Sequence, residues 1–254
     1  MRSKDYFIKK GYQTQNKPEY FHDDNDSIVW QKGIYDFAHF VGKRFNLEFI
    51  IDVGAGNGFK LKQFEPEFKV VAIDYGSNVN LLKTNIPNQK VIEFDLEKGL
   101  PKINKEVLAK AVVVCADVIE HLNTPHKLFT DLSKISKICP IMIISTPDRI
   151  RCQSRKHNGP PPNPAHVREW SATEIGKLMR DYKFNSFLIG HANEVNYQNK
   201  KNTLVVISGK LLTNPVKEVF YALFLSEIEV FKNNVFINLI RVAKLISKKF
   251  DNIF

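Results

Sequence analysis

Apolar and polar positions follow two rhythms along this chain. Short apolar runs bounded by charged or turn-forming residues occur at 49–53, 69–73, 90–94, 111–115 and 140–145. Their lengths and flanks suit buried strands. Between them, 77–85, 103–110 and 126–138 have the room and apolar spacing for helices. Such alternation predicts right-handed βαβ units, with parallel strands and helices over both sheet faces. Upstream, Ile34, Phe37, Ala38, Val41 and Phe45 recur at helical spacing and predict a helix from Ile28 to about Phe45.

The rhythm stops after Pro147. The run Asn158-Gly159-Pro160-Pro161-Pro162-Asn163-Pro164 lacks the amides that a helix or central strand requires, so 148–165 is expected to be a long, stiffened loop. A helix resumes near Ser171, with Ser171 or Thr173 as its cap. Runs at 184–190 and 203–208, with no convincing helix between them, predict an antiparallel hairpin at a sheet edge. From Glu218 to Phe254, Ile228, Phe231, Val235, Leu239, Val242 and Ile246 form an apolar stripe opposite Lys232, Arg241, Lys244 and Lys248, the pattern of an amphipathic helix. It fits packing on the domain or on a second subunit, or an interfacial position on an acidic membrane. Packing is favoured, because Phe220, Tyr221, Phe224, Phe231 and Phe236 would be costly to leave in water. The expected organisation is an aromatic, polar lid over 1–30, one α/β domain over 31–210 and a helical extension over 211–254.

Composition bounds this picture. With 254 residues, 43% hydrophobic and 25% charged, the chain can build one large core. Cys115, Cys139 and Cys152 are odd in number and lack metal-type spacing. Buried thiols in a reducing compartment are expected, and no metal site. Neither a signal-peptide core nor an apolar run near the ~20 residues that span a bilayer is visible. The expected compartment is the cytoplasm, with the extension as the one feature suited to the inner membrane surface. A net charge of +10 favours anionic partners, so the location of the cations matters. Arg149, Arg151, Arg155 and Lys156 stand in the long loop.

The candidate chemistry begins at Ile50-Ile51-Asp52-Val53-Gly54-Ala55-Gly56-Asn57-Gly58. A strand running into three alternating glycines lets backbone amides approach a ligand closely. Asp52 stands where a carboxylate can address an ammonium group. Asp74 ends the second strand, where an acid can hold two ribose hydroxyls, and Asp95 ends the third, within reach of an adenine amino group. A nicotinamide or flavin fold would want its third glycine at 59, which is Phe59.

These residues, with Cys115-Ala116-Asp117-Val118-Ile119-Glu120-His121-Leu122, resemble the Rossmann-like methyltransferases that use S-adenosylmethionine. The resemblance covers about 30–210. It implies an α/β, doubly wound, seven-stranded and mostly parallel sheet of order 3-2-1-4-5-7-6, its last strand antiparallel. It also implies that Gly54, Gly56 and Gly58 line the methionine part, that Asp74 with Tyr75 binds the ribose, and that Asp95 with Leu96 frames the adenine. Cys115 and Asp117 would lie beside the methionine. Segment 158–171, ending in His166-Val167-Arg168-Glu169-Trp170-Ser171, is similar to methyltransferases of bacterial surface-polysaccharide pathways. The implied activity is O-methylation of a sugar or glycan hydroxyl.

A sugar hydroxyl benefits from a general base, and His121 and His166 are the candidates. The alternative for His166, Arg168 and Glu169 is a hydrogen-bonded brace that fixes the loop. Glu120, Arg149, Arg151, Arg168 and Trp170 are candidates for holding an acceptor. Arginine suits phosphate or carboxylate, so the loop cations imply an anionic acceptor unless they are merely solvated. Nucleic acid fits poorly: Cys115-Ala116-Asp117-Val118 is not the Asn/Asp-Pro-Pro-aromatic motif of base methylation, and no recognition domain is appended. A non-catalytic cofactor-binding module would not need all the cofactor acids together.

Overall fold

The computed structural model describes residues 6–19, 22, 31–192 and 202–212, with the backbone of 229–230. The five apolar runs become strands β1 (Phe49–Val53), β2 (Lys69–Asp74), β3 (Lys90–Glu93), β4 (Ala111–Ala116) and β5 (Ile141–Pro147), all paired in parallel. β6 (Phe187–Ala192) and β7 (Thr203–Ser208) form the expected hairpin. β7 inserts between β5 and β6, antiparallel to both, which gives the order 3-2-1-4-5-7-6.

One strand was not expected. Glu229–Val230 (β8) pairs antiparallel with β6 at Gly190 and His191, inside the stretch whose periodicity predicted a helix. An outer strand presents unpaired amides and carbonyls, and two extended residues satisfy some of them. The rest of the predicted extension, its membrane or subunit contact, and much of the segment before Gln31 lie outside the described residues. Among those described, no helix is long and apolar enough to cross a membrane.

Helices α1 (Lys32–Arg44), α2 (Ser77–Asn85), α3 (Lys105–Leu108), α4 (His126–Ile135), α5 (Arg149–Cys152) and α6 (Ala172–Asp181) complete the fold. Alternate side chains of β4 enter opposite cores, because strands covered on both faces are buried on both. Val112 and Val114 pack with Ile34, Phe37, Ala38 and Val41 of α1. Val113 and Cys115 pack with Leu128, Phe129 and Leu132 of α4 and with Ile175, Leu178 and Met179 of α6. Each fully buried aliphatic or aromatic side chain here stabilises the fold by about 1.5–3 kcal/mol.

Two local features shape the site's edge. α5 begins the stretch expected to be wholly loop, because Asp148 Oδ1 accepts the Ile150 amide at 2.8 Å and caps one helical turn. At α6, Ser171 is the cap: its side chain and that of Glu174 form a reciprocal capping box. Between them, residues 158–167 carry the N-terminal segment as a strap. Gln13, Gln15 and Glu19 donate amides to the carbonyls of Asn158, Val167 and Pro164.

Candidate active site

The carboxyl ends of β1, β2, β3 and β4 open on one cleft of ≈ 670 Å³. This is where a doubly wound sheet places ligands, beside the point at which strand order reverses. After β1 the backbone turns back so tightly that Gly54 has φ +78, and a Cβ there would stand 2.3 Å from Val118 Cγ2. Only glycine fits both the turn and the approach. The amides of Gly54 and Ala55 donate to Ile73 O, tying the turn to β2.

Asp74 lines the cleft and organises this turn. Its Oδ2 accepts Gly56 N at 2.8 Å, and its Oδ1 accepts Tyr75 N at 2.8 Å and Asn78 Nδ2 at 3.3 Å. Tyr75, Asp95 and Leu96 also line it. Asp95 Oδ1 accepts Glu97 N at 3.0 Å. Glu97 in turn accepts the amides of Asn123 and Thr124 at 2.6 and 2.9 Å, joining the end of β3 to the loop after β4. Gly58 stands behind the turn, where a Cβ would press on Leu82, and not on the cleft wall. Asp52 is fully buried beneath the cleft, its Oδ2 accepting the Tyr35 hydroxyl at 3.0 Å. Burial lifts its carboxyl to about 7, against the opposing pull of Tyr35 and Lys60.

The other end of the cleft belongs to the loop after β4. Asp117 takes a left-handed φ of +52, uncommon for a non-glycine residue. Its Oδ2 accepts Gln31 Nε2 at 2.8 Å. Glu120 is fully buried, with Oε2 accepting Thr146 Oγ1 at 3.0 Å. Burial drives both carboxyls upward, and at Glu120 the Asp117 charge adds to it. His121 and His166 both line the cleft, their rings edge to face at 4.7 Å. His121 Nδ1–H donates to Ala165 O at 3.0 Å. Burial, with His166 alongside, lowers the His121 ring to about 3, so it is neutral and a weak base. His166 Nδ1–H donates to Glu169 Oε1 at 2.9 Å, and Asn163 Nδ2 stands 3.0 Å from its Nε2.

Several expected contacts are corrected by the fold. Arg149 is buried, and its Nη2 donates to both carboxylate oxygens of Glu174 at 2.7 and 2.6 Å. Arg168 donates to Leu122 O at 2.8 Å and to Asn123 O at 2.9 Å, its guanidinium 4.6 Å from the Tyr6 ring centre. Trp170 is in the core, with its indole N–H donating to Tyr6 O. Arg151 is exposed on α5, outside the cleft wall. Cys115 points into the α4–α6 core, where burial pushes its thiol well up. Glu120 lies behind the wall, not on it. Arg149, Arg168 and Trp170 thus stabilise the loop and the core, satisfying buried polar groups there. Among the described residues, the one lysine or arginine on the cleft wall is Lys60.

Gln31, Tyr35, Lys60, Asn78, Glu97 and Asn163 also line the cleft, and no sequence motif marked them. Gln31 and Tyr35 lie one helical turn apart, so the polar positions on the start of α1 were the available signal. Residues Pro18, Glu19 and His22 close the cleft's rim.

A family of methyltransferase domains matches residues 17–186. A probable S-adenosylmethionine-dependent methyltransferase of Mycobacterium tuberculosis is 28% identical over 138 residues, 53% of this chain and 48% of that protein. The chain thus spans about half the length of the curated relatives it matches. Among solved structures, the methyltransferase domain of a bacterial Hen1 superposes with a TM-score of 0.51 at 18% identity, over 70% of this chain and 96% of that one. The small-RNA methyltransferase HEN1 gives 0.51 at 13% identity, over 74% and 26%. At these identities the likeness is one of fold.

Proposed function

Because the chain belongs to the family of methyltransferase domains, we propose that it transfers the methyl group of S-adenosylmethionine to a hydroxyl of a sugar or glycan. One observation carries this reading. The glycine turn, Asp74 and Asp95 face the same cleft whose far end holds His121, His166 and Asp117. The first group suits the amino acid, ribose and adenine of the cofactor; the second gathers proton-handling groups where an acceptor would enter. Methyl transfer from a sulfonium is a displacement that depends chiefly on alignment, and a cleft with two chemically distinct ends supplies it. The likeness of segment 158–171 to polysaccharide-pathway methyltransferases supports a sugar as acceptor. Arg149 and Arg168 are braces, whereas Arg151, Arg155 and Lys156 stay exposed on the loop, so an anionic group on the acceptor would have to be met by these surface cations or by Lys60.

The test has two stages. Calorimetry with S-adenosylmethionine and with its demethylated product is expected to show binding, and absence of both would overturn the reading at its base. Turnover is then measured as release of demethylated product with nucleotide sugars, oligosaccharides, small phenols and RNA. Methylation of a sugar hydroxyl is expected. Turnover with RNA alone would replace the sugar as acceptor.

A further inference from the structure

At the far end of the cleft, two histidines on the wall and one carboxylate directly behind it form a donor set that no single stretch of sequence displays. One ligand atom from each of Glu120, His121 and His166 lies within 4.8 Å of the others. Three ligands at ~2.0–2.2 Å from one cation stand roughly 3.3–3.8 Å from one another in tetrahedral to trigonal arrangements, so a closure of no more than about 1.5 Å, within the reach of side-chain rotation, would bring the set onto one ion.

Two further features point to a cation. Glu120 is fully buried, and its Oε1 has no hydrogen-bond partner among the described residues. Asp117 Oδ1 likewise meets no donor group among them, and the two carboxyls lie against one another, a pairing of like charges that a cation between them would relieve. Buried carboxylate oxygens are normally paired or bound to a metal. The imidazoles, moreover, are held as metal-binding histidines are. His121 donates its Nδ1–H to a backbone carbonyl and His166 donates its own to the Glu169 carboxylate. This arrangement fixes the tautomer, leaves the lone pair on Nε2 and orients each ring. The Asn163 amide, 3.0 Å from His166 Nε2, would give way to the ion.

We propose that Glu120, His121 and His166, with Asp117 as a neighbouring oxygen donor, bind one divalent transition-metal or zinc cation. Two imidazoles with carboxylates suit manganese, iron, cobalt or zinc; magnesium and calcium prefer oxygen alone. The role of the ion rests on the methyl-transfer reading above. The acceptor hydroxyl coordinates the cation, which lowers its pKa, and its proton passes to water at the cleft mouth. An oxygen lone pair then forms the bond to the methyl carbon while the carbon–sulfur pair stays on sulfur, leaving a neutral thioether and a methyl ether. Neither histidine then serves as the base, because each would give its Nε2 lone pair to the ion while its Nδ1–H is held by Ala165 O or Glu169.

The full-length protein, stripped with a chelator and dialysed, would be titrated with Co²⁺ as the probe. One Co²⁺ per chain is expected by elemental analysis, with visible bands of nitrogen and oxygen coordination. Glu120→Gln and His121→Ala are expected to lose stoichiometric binding while keeping the wild-type circular dichroism and melting temperature under chelator. Glu169→Gln, which only orients His166, is expected to weaken Co²⁺ binding ~10–100-fold. Wild-type protein that binds S-adenosylmethionine and no Co²⁺ would overturn the metal site and leave the methyltransferase reading standing. Co²⁺ binding without S-adenosylmethionine binding would support the site and overturn that reading. Undiminished Co²⁺ binding in both ligand variants would overturn the site, and the wild-type titration decides even if a variant fails to fold.

Discussion

The two ends of the cleft use charge in opposite ways. At the cofactor end, Asp74 and Asp95 stand within a residue or two of a strand end and face the opening. At the other end, Arg149, Glu174, Arg168 and Glu169 come from or next to the long loop, and they bond to one another, to backbone and to the N-terminal strap. A sheet ladder already satisfies the backbone it pairs, on both sides of β2 and on one side of the edge strand β3, so an acid at the strand tip is available to a ligand. A long loop has no such ladder and draws its charged side chains inward to order itself. The distance of a charge from regular structure therefore says more about its role than its sign does.

The largest expected effect tests the brace. Arg149 and Glu174 are both buried, and removing one partner of a buried pair typically costs ~3–5 kcal/mol. Arg149→Ala is expected to lower the free energy of unfolding in urea by that amount, because Glu174 would be left charged in the core. A variant of normal stability that lost only acceptor affinity would return Arg149 to substrate binding.

Asp52 gives a pH signature. Its carboxyl rises from the ordinary 3.8 to about 7 in the folded protein. Between these values the folded chain holds a proton that the unfolded chain has released, so stability falls as pH rises. The contribution is complete below about pH 4 and lost above about pH 7, falling by ~1.4 kcal/mol for each pH step of one between those limits. Asp52→Asn keeps an acceptor for the Tyr35 hydroxyl and removes the titration. Urea midpoints of the two proteins are therefore expected to diverge with pH. A difference that stays constant across this range would refute the raised carboxyl.

Asp74→Ala acts on binding. Loss of charge-assisted contacts to the ribose is expected to weaken S-adenosylmethionine by about 1.5–3 kcal/mol in calorimetry. Since Asp74 also holds Gly56 and Tyr75 amides, Asp74→Asn, which retains an acceptor for the turn, separates ribose contact from turn geometry. Equal affinity in all three proteins would remove the ribose assignment.

The same contrast explains what the sequence disclosed. Strands 49–53 and 203–208 and helix 77–85 match the structure to the residue, because apolar runs and turns are local signals. The glycine turn, Asp74 and Asp95 were visible for the same reason: each lies beside its strand. Gln31 reaching Asp117, and His166 meeting Glu120 and His121, join segments far apart in the chain, and no periodicity encodes such meetings. Arg149 and Arg168 proved to be braces, which the sequence could not show because a cation in a loop reads the same whether paired or solvated. Yet Ser171-Ala172-Thr173-Glu174 is a capping-box pattern, and it signalled that Glu174 was committed to the start of α6. β8 was hidden because two extended residues do not disturb a helical stripe.

The smallest expected effect falls on Arg151, two positions along α5 from a neighbour with the opposite fate. Arg149 faces α6 from the first position of α5, whereas Arg151 is exposed and away from the cleft wall. Substitutions at exposed positions, surface ion pairs included, usually change stability by no more than about 0.5–1 kcal/mol. Arg151→Ala is expected to stay inside that range in urea unfolding. An acceptor bound between Lys60 and His121 would not meet it either, so kcat and KM for a confirmed acceptor are expected to be unchanged. The double variant with Arg149 then sharpens the result, because its stability loss should equal that of Arg149→Ala alone if Arg151 takes no part in the brace. A several-fold rise in acceptor KM in Arg151→Ala, with stability intact, would mean that α5 reaches the acceptor after all. The loop's surface cations would then contribute to recognition, and the division of charge between the two ends of the cleft would fail at this residue.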